Sequence, residues 1–269
     1  MIRWLSVLLL LGATPAIATA TPTDERSSSD SKVTVGSPRT TFPRNKQNEP
    51  AVGVALNPLD PTILVSGANE EIDNAPCTDN GCQFTPGVTD SGIYFSLDGG
   101  EAWTQPTYTG WSARTGTPRV GPIGTVPWFY ESGLVGDGDP ALAFGPRPGP
   151  HGFSWSNGTR LYYASLTSNF PGTTTLNAQE AIAVSRTDDV RAAAGGDKNA
   201  WMRPVIASKL LTPDTFSDKE AIWADNAASS HFFGNVYACW TSYGAVTSPI
   251  VLARSTDGGT TWSNPVVIV

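Results

Sequence analysis

Three acidic residues stand just ahead of short apolar runs, and they are the first candidates for chemistry. They are Glu49 in Asn-Glu-Pro, Asp139 in Gly-Asp-Pro and Asp218 in Ser-Asp-Lys. Carboxylates that converge from neighbouring strands can act as general acid and base, or bind sugar hydroxyls. They can equally hold the backbone amides at the point where a strand begins. The first interpretation makes Glu49, Asp139 and Asp218 candidate catalytic residues.

A second candidate is the pair Tyr130-Glu131, which lies in the longer of two insertions, residues 108–137. An aromatic ring beside a carboxylate suits a sugar-binding surface, because the ring stacks and the carboxylate accepts hydrogen bonds. The same pair could instead fix a long loop to the protein surface. Tyr130 and Glu131 are therefore candidate binding residues with a structural alternative.

Metal and cofactor sites are weakly indicated. The clusters Glu70-Glu71-Asp73 and Asp137-Asp139 could hold a calcium ion through hard oxygen ligands, although neither has a complete calcium-loop spacing. The two histidines, His151 and His231, stand far apart and predict neither a zinc site nor a catalytic dyad. We expect no other cofactor.

The chain has three cysteines, and two of them bracket a short polar loop. An exported protein would allow a disulfide between Cys77 and Cys82, while two free thiols in a mobile loop are the alternative. Cys239 alternates with large apolar residues, which is typical of a buried free thiol.

An internal repeat indicates the scaffold that positions these residues. An octet of the form Ser-x-Asp-Gly-Gly-x-x-Trp occurs twice, and a weaker copy lies between the two with its Trp delayed by an insertion. Glycines after Asp allow positive φ, the Ser and Asp side chains can accept hydrogen bonds from the turn, and the Trp packs back as an apolar plug. The repeated residues therefore have structural roles: Ser96, Asp98, Gly99, Gly100 and Trp103; Ser185, Asp188 and Trp201; Ser255, Asp257, Gly258, Gly259 and Trp262.

Short apolar runs around each copy predict a unit of four strands. We place these units at about residues 48–107, 138–208 and 217–269, which gives twelve strands in three sheets. Tandem four-stranded sheets are typical of the blades of a β-propeller, so the predicted class is all-β. The insertions 70–91 and 108–137 fall on the face opposite the octets, where we expect function.

The octet resembles the Asp-box, also called the bacterial neuraminidase repeat, of the sialidase-like superfamily. The resemblance covers about residues 48–269 and implies a secreted, exo-sialidase-related or glycoside hydrolase-related protein that acts on or binds glycans. A non-catalytic propeller that binds carbohydrate or protein is the alternative. Sialidases have six blades, so three imply either a fragment or a second chain that completes the ring.

Sialidases grip the sialate carboxylate with three arginines, the first of them in a Phe/Tyr-Arg-Ile-Pro motif. The corresponding residues here are Thr41-Phe42-Pro43-Arg44-Asn45, which lack that order. This departure leaves hydrolysis an open question for the sequence.

The N-terminus and the overall charge bound the location and the partners. Residues 1–20 have the charged start, short apolar run and Ala18-Thr19-Ala20 site of a secretory signal peptide, and 21–47 are a polar leader predicted to be disordered. We therefore expect a secreted, extracellular or periplasmic protein without a membrane span. The net charge of −7 argues against nucleic acid as a partner.

Overall fold

A computed structural model of the chain describes residues 31–34, 47–77, 82–244 and 246–268, without the side chains of Glu49 and of residues 51–56. The predicted signal peptide and nearly all of the predicted leader lie outside the described residues. Glu49 can therefore be placed on its strand, but not its carboxylate. No helix in the described part of the chain is long and apolar enough to cross a membrane.

Thirteen strands form four antiparallel sheets within the described residues, which confirms the all-β class. In each sheet the strands follow one another in chain order. The first sheet contains β1 (Gln47–Leu56), β2 (Leu64–Glu70) and β3 (Ser91–Ser96); a hairpin contains β4 (Tyr108–Ser112) and β5 (Arg119–Ile123); the second sheet contains β6 (Leu134–Gly149), β7 (Gly152–Asn169), β8 (Ala181–Thr187) and β9 (Trp201–Ile206); the third contains β10 (Phe216–Ala224), β11 (Val236–Tyr243), β12 (Ile250–Ser255) and β13 (Val266–Val267).

Two differences from the expected strands are clear. The fourth strand of the first unit is reduced to one bridge between Phe95 and Thr104. The insertion after it contains the hairpin β4–β5, which the sequence did not predict. A short helix, α1 (Val190–Ala194), and two single 3-10 turns, Tyr130–Ser132 and Lys198–Ala200, complete the described elements.

The second sheet is the middle layer of the core. Consecutive residues of a strand face opposite sides of its sheet, and Tyr162 and Tyr163 of β7 are both fully buried. Tyr163 packs in a cluster with Val65 and Phe95 of the first sheet. Tyr162 packs in a separate cluster with Ala238 of the third sheet. The second sheet therefore buries both of its faces, which explains why β8 is buried along its whole length.

The two full octets form the same hydrogen-bonded turn, which we call the octet turns (residues 96–103 and 255–262). Ser96 Oγ donates to Asp98 at 2.7 Å and accepts from the Gly100 amide, while Asp98 also accepts from the Ala102 amide. Ser255 and Asp257 make the corresponding three contacts with Gly259 and Thr261. The paired glycines have φ values between 72° and 97°. Residues with a side chain disfavour this backbone conformation, so glycine is preferred at both positions.

The weaker copy does not form this turn. Ser185 is buried and its hydroxyl has no partner among the described residues, while Asp188 pairs with Arg160 at 2.7 Å. The chain continues into α1, and Trp201 donates to the Tyr108 hydroxyl at 3.0 Å. No glycine pair immediately follows Asp188, so Ser185 and Asp188 do not make the hydrogen bonds of the octet turns.

Candidate functional site: a cleft lined by carboxyl groups

The loops after the second strand of each sheet emerge at the end opposite the octet turns. The largest of them is the cleft loop, residues 71–77 and 82–90, which joins β2 to β3. The segment between β3 and β6 reaches the same end. Long loops on a packed scaffold are the usual place for binding residues.

A bulge near the start of the first strand recurs in all three sheets. The pairing shifts between Asn48 and Ala51 in β1, between Gly138 and Ala141 in β6, and between Asp218 and Ala221 in β10. Bulges of this kind bend the strand and redirect side chains.

The bulges correct the predicted equivalence of the three acidic residues. Asp139 and Lys219 occupy the corresponding left-handed positions, with φ values of 46° and 58°. Asp218 corresponds instead to Gly138. Matching by residue type paired Asp218 with Asp139, one position out of step, because the third sheet has Lys219 where the second sheet has an acid.

Asp139 and Asp218 lie at the bulges of β6 and β10. Asp139 accepts from the Asn69 amide group at 3.0 Å, and its own backbone amide donates to Asn69 Oδ1 at 2.5 Å. Lys219 Nζ lies 2.9 Å from Asp139 Oδ2 and 3.6 Å from Asp218 Oδ1. These contacts fit the structural interpretation of the two residues.

Glu220, the residue after Lys219, has a buried carboxyl group that the sequence did not single out. Neither of its carboxyl oxygens has a partner in the described structure. Burial raises its pKa well above the ordinary range, and the nearby Asp139 and Asp218 raise it further. Glu220 occupies the position of Pro140 in the second sheet, so its carboxyl group is held where an apolar ring packs in the neighbouring unit.

Asp137 and Glu180 form a carboxyl pair at the edge of the second sheet. Burial raises the pKa of both groups, and the neighbouring Asp137 helps to raise that of Glu180 to about 9. One oxygen of each, Asp137 Oδ2 and Glu180 Oε1, has no partner among the described residues. The backbone of Glu180 is fixed by a hydrogen bond from the Ser217 amide. Glu180 therefore retains its proton at neutral pH.

The backbone of Asp90 links the first sheet to the second through hydrogen bonds. Its amide donates to Gly136 and its carbonyl accepts from the Glu70 amide, each at 2.7 Å. Asn74 donates to its carboxylate at 2.7 Å. Burial nevertheless raises the pKa of Asp90 to about 8, with Asp137 adding to the effect. Asp90 is therefore mostly protonated at neutral pH.

Asp90 and Asp137 line a cleft of about 470 Å³. Phe84, Val88 and Val135 give its lining an apolar part. No basic residue lines it among the described residues. Two carboxyl groups against an apolar wall are typical of a small-molecule or sugar site.

A buried acidic network lies beside this cleft and accounts for the predicted calcium cluster. Glu70 is fully buried and accepts from Tyr94 at 2.8 Å and Gln105 at 3.0 Å. Asp73 accepts from Arg114 at 2.7 Å and from Thr125 at 2.9 Å, and burial raises its pKa to about 6 although Arg114 opposes the shift. Within the described residues, no three acidic, histidine or cysteine side chains are grouped to hold a metal ion.

The predicted binding pair is placed as a loop anchor. Tyr130 stacks on Trp111 with ring centroids 5.0 Å apart and meets Phe170 edge-on at 4.9 Å. Glu131 pairs with Lys198. These contacts fasten the long insertion to the second sheet and fit the structural alternative for Tyr130 and Glu131.

A disulfide joins Cys77 to Cys82 within the cleft loop, with Cα atoms 5.2 Å apart. Cys239 is a free, half-buried thiol on β11, less buried than the sequence suggested. The disulfide restricts the conformations of the cleft loop, which also carries Phe84 and Val88.

Sequence reasoning missed Asp90 and Glu180 and assigned Asp137 only to a calcium cluster. Asp90 and Glu180 each stand immediately before a strand that is buried along its length, β3 and β8. An acid at the start of such a run is the signal that could have found them, because the strand carries the acid into the core.

Comparison with known proteins gives no identification. No family model matches the chain, and no curated protein matches it.

Proposed function

We propose that this chain is a secreted, sialidase-like β-propeller protein that acts on glycans in the cleft lined by Asp90 and Asp137. The octet turns support the first part, because two separate copies make the same three side-chain and backbone hydrogen bonds. The repeated chain-order sheets and the repeated bulges add to that support.

The stacking of the sheets also supports a propeller. Tyr162, Ala164 and Val184 form the face of the second sheet that the third sheet covers. On the corresponding face of the third sheet, Trp223 is 67% exposed. A further sheet of the same kind, from a second chain or from more of the same polypeptide, would cover it. The residues of the third sheet at the corresponding register positions are Tyr237, Cys239 and Leu252.

One observation carries the proposed chemistry: Asp90 faces the cleft with a pKa raised to about 8 by burial. Glycoside hydrolysis needs a carboxylic acid that protonates the leaving oxygen and a second carboxylate that activates water or attacks the sugar. Asp90 is protonated at neutral pH and supplies the acid. Asp137 shares protons with Glu180, and in the singly protonated form of that pair it can accept a proton from water.

Non-catalytic glycan binding is the second candidate, and a specific observation favours it. Burial raises the pKa values of both acids that line the described cleft, which disfavours the ionised second carboxylate that hydrolysis needs. Protonated carboxyl groups donate and accept hydrogen bonds with sugar hydroxyls, which suits binding without turnover.

A panel of fluorogenic aryl glycosides tests the proposal with the full chain and an Asp90→Asn variant. Loss of the general acid should lower kcat/KM by about 10²-fold or more. Asp214→Asn is the matched control, since Asp214 is exposed and does not line the cleft. Full activity in Asp90→Asn would exclude Asp90 as the acid. Binding without turnover in the unmodified chain would establish the second candidate.

A further inference from the structure

We infer that the cleft accepts uncharged sugar units and excludes sugars that carry a carboxylate, an inference that rests on the proposed action on glycans. It concerns the substrate class of the same site. It also differs from what the sialidase resemblance alone implies, since sialic acid is an anionic sugar.

The lining of the cleft carries the inference. Its ionisable groups are the acids Asp90 and Asp137, and no lysine or arginine lines it among the described residues. An anionic sugar is normally bound by arginine or lysine, because these donate hydrogen bonds and supply the opposite charge. The described cleft offers neither.

Arg114, Lys198 and Lys219 do not line the cleft, and each pairs with another carboxylate. Arg114 donates to the buried Asp73 at 2.7 Å. Lys219 Nζ lies 2.9 Å from Asp139, and Lys198 pairs with Glu131. Moving one of these cations to a ligand would leave a buried or half-buried carboxylate unpaired, which is unfavourable.

The raised pKa of Asp90 indicates how the cleft would affect a negatively charged ligand. Burial and the neighbouring acids Asp137, Glu71 and Asp73 raise its pKa to about 8, so this site disfavours a negative charge. A sugar carboxylate in the cleft would meet the same desolvation and the same acids. A hydroxyl or hydroxymethyl group at that position would carry no such penalty.

The rest of the cleft suits a neutral sugar. Phe84, Val88 and Val135 provide an apolar wall against which the carbon face of a pyranose can pack. Ser168 and Asn169, which are also uncharged, are the part of the lining that β7 contributes.

Matched glycoside pairs provide the test. Aryl glucoside and glucuronide, and aryl galactoside and galacturonide, differ only by a hydroxymethyl group replaced with a carboxylate, and an aryl sialoside extends the set. We expect the neutral member of each accepted pair to bind at least ~10-fold more tightly, measured by calorimetry or competition. Equal or tighter binding of the anionic member, or preference for the sialoside, would overturn the inference and leave the proposed action on glycans standing. Failure of every glycoside to bind would overturn both.

A charge substitution sharpens the test. Phe84 is 63% exposed at the edge of the cleft, so Phe84→Arg should fold and should narrow the neutral-to-anionic ratio about 10-fold. Leu59→Arg adds the same charge at a 50% exposed position in the loop between β1 and β2, at the end of the sheets that carries the octet turns, and should leave the ratio unchanged. An equal change of the ratio in both variants, or no change in Phe84→Arg, would contradict the inference that the cleft distinguishes neutral from anionic sugars.

Discussion

Aspartate has opposite roles at the two ends of these sheets. At the octet turns, Asp98 and Asp257 accept hydrogen bonds from nearby amides and hydroxyls, and their pKa values are lowered. At the other end, Asp90 and Asp137 are buried with fewer donors, and their pKa values are raised. The difference shows that the ionised form is stabilised by a local turn in one case and penalised by the packing of distant segments in the other.

The contrast predicts a large loss of stability when a turn aspartate is removed. Asp257 accepts from Ser255 Oγ at 2.8 Å, from the Thr261 amide at 2.9 Å and from Thr261 Oγ1 at 2.6 Å. Asp257→Ala should therefore lower the free energy of unfolding by about 2 kcal/mol, measured by urea denaturation. Asp214→Ala, at an exposed position, should change it by less than about 0.5 kcal/mol. Similar losses in both variants would show that the turn contacts are not the cause.

A smaller effect on stability distinguishes the octet turns from the weaker copy. Ser255 is buried and bonded to both Asp257 and the Gly259 amide, so Ser255→Ala should lower the free energy of unfolding by about 1 kcal/mol. Ser185 is equally buried but has no partner in the described structure, so Ser185→Ala should be neutral or slightly stabilising. Equal losses of stability at the two positions would mean that the weaker copy retains turn contacts.

What the sequence could predict follows the same division between local and distant contacts. The octet turns were predictable because all of their hydrogen bonds lie within five residues of one another. The strand order of the second and third sheets was predictable from alternating apolar runs between turn residues. The propeller itself stays a prediction.

The candidate site could be predicted only in part, since it depends on contacts between distant segments. Asp90 is positioned by Gly136 and Asn74, and Glu180 by Asp137 and Ser217. Asp218 lies one register position before the place of Asp139, which only the strand pairing reveals. The hairpin β4–β5 lies in an insertion for which the repeat offers no template.

The most direct test of the opposed roles is to titrate Asp90 and Asp98 in the same molecule, by carbon NMR of the side-chain carboxyl groups with Asp90→Asn for assignment. We predict a pKa of about 8 for Asp90 and a pKa below 3.8 for Asp98. Because the folded state holds the Asp90 proton more tightly than the unfolded state, this group should also lower stability as the pH rises from about 4 to about 8. Asp90→Asn should remove that decline. Titration of both residues near 4, with no difference in pH dependence between the variant and the unmodified chain, would contradict the account.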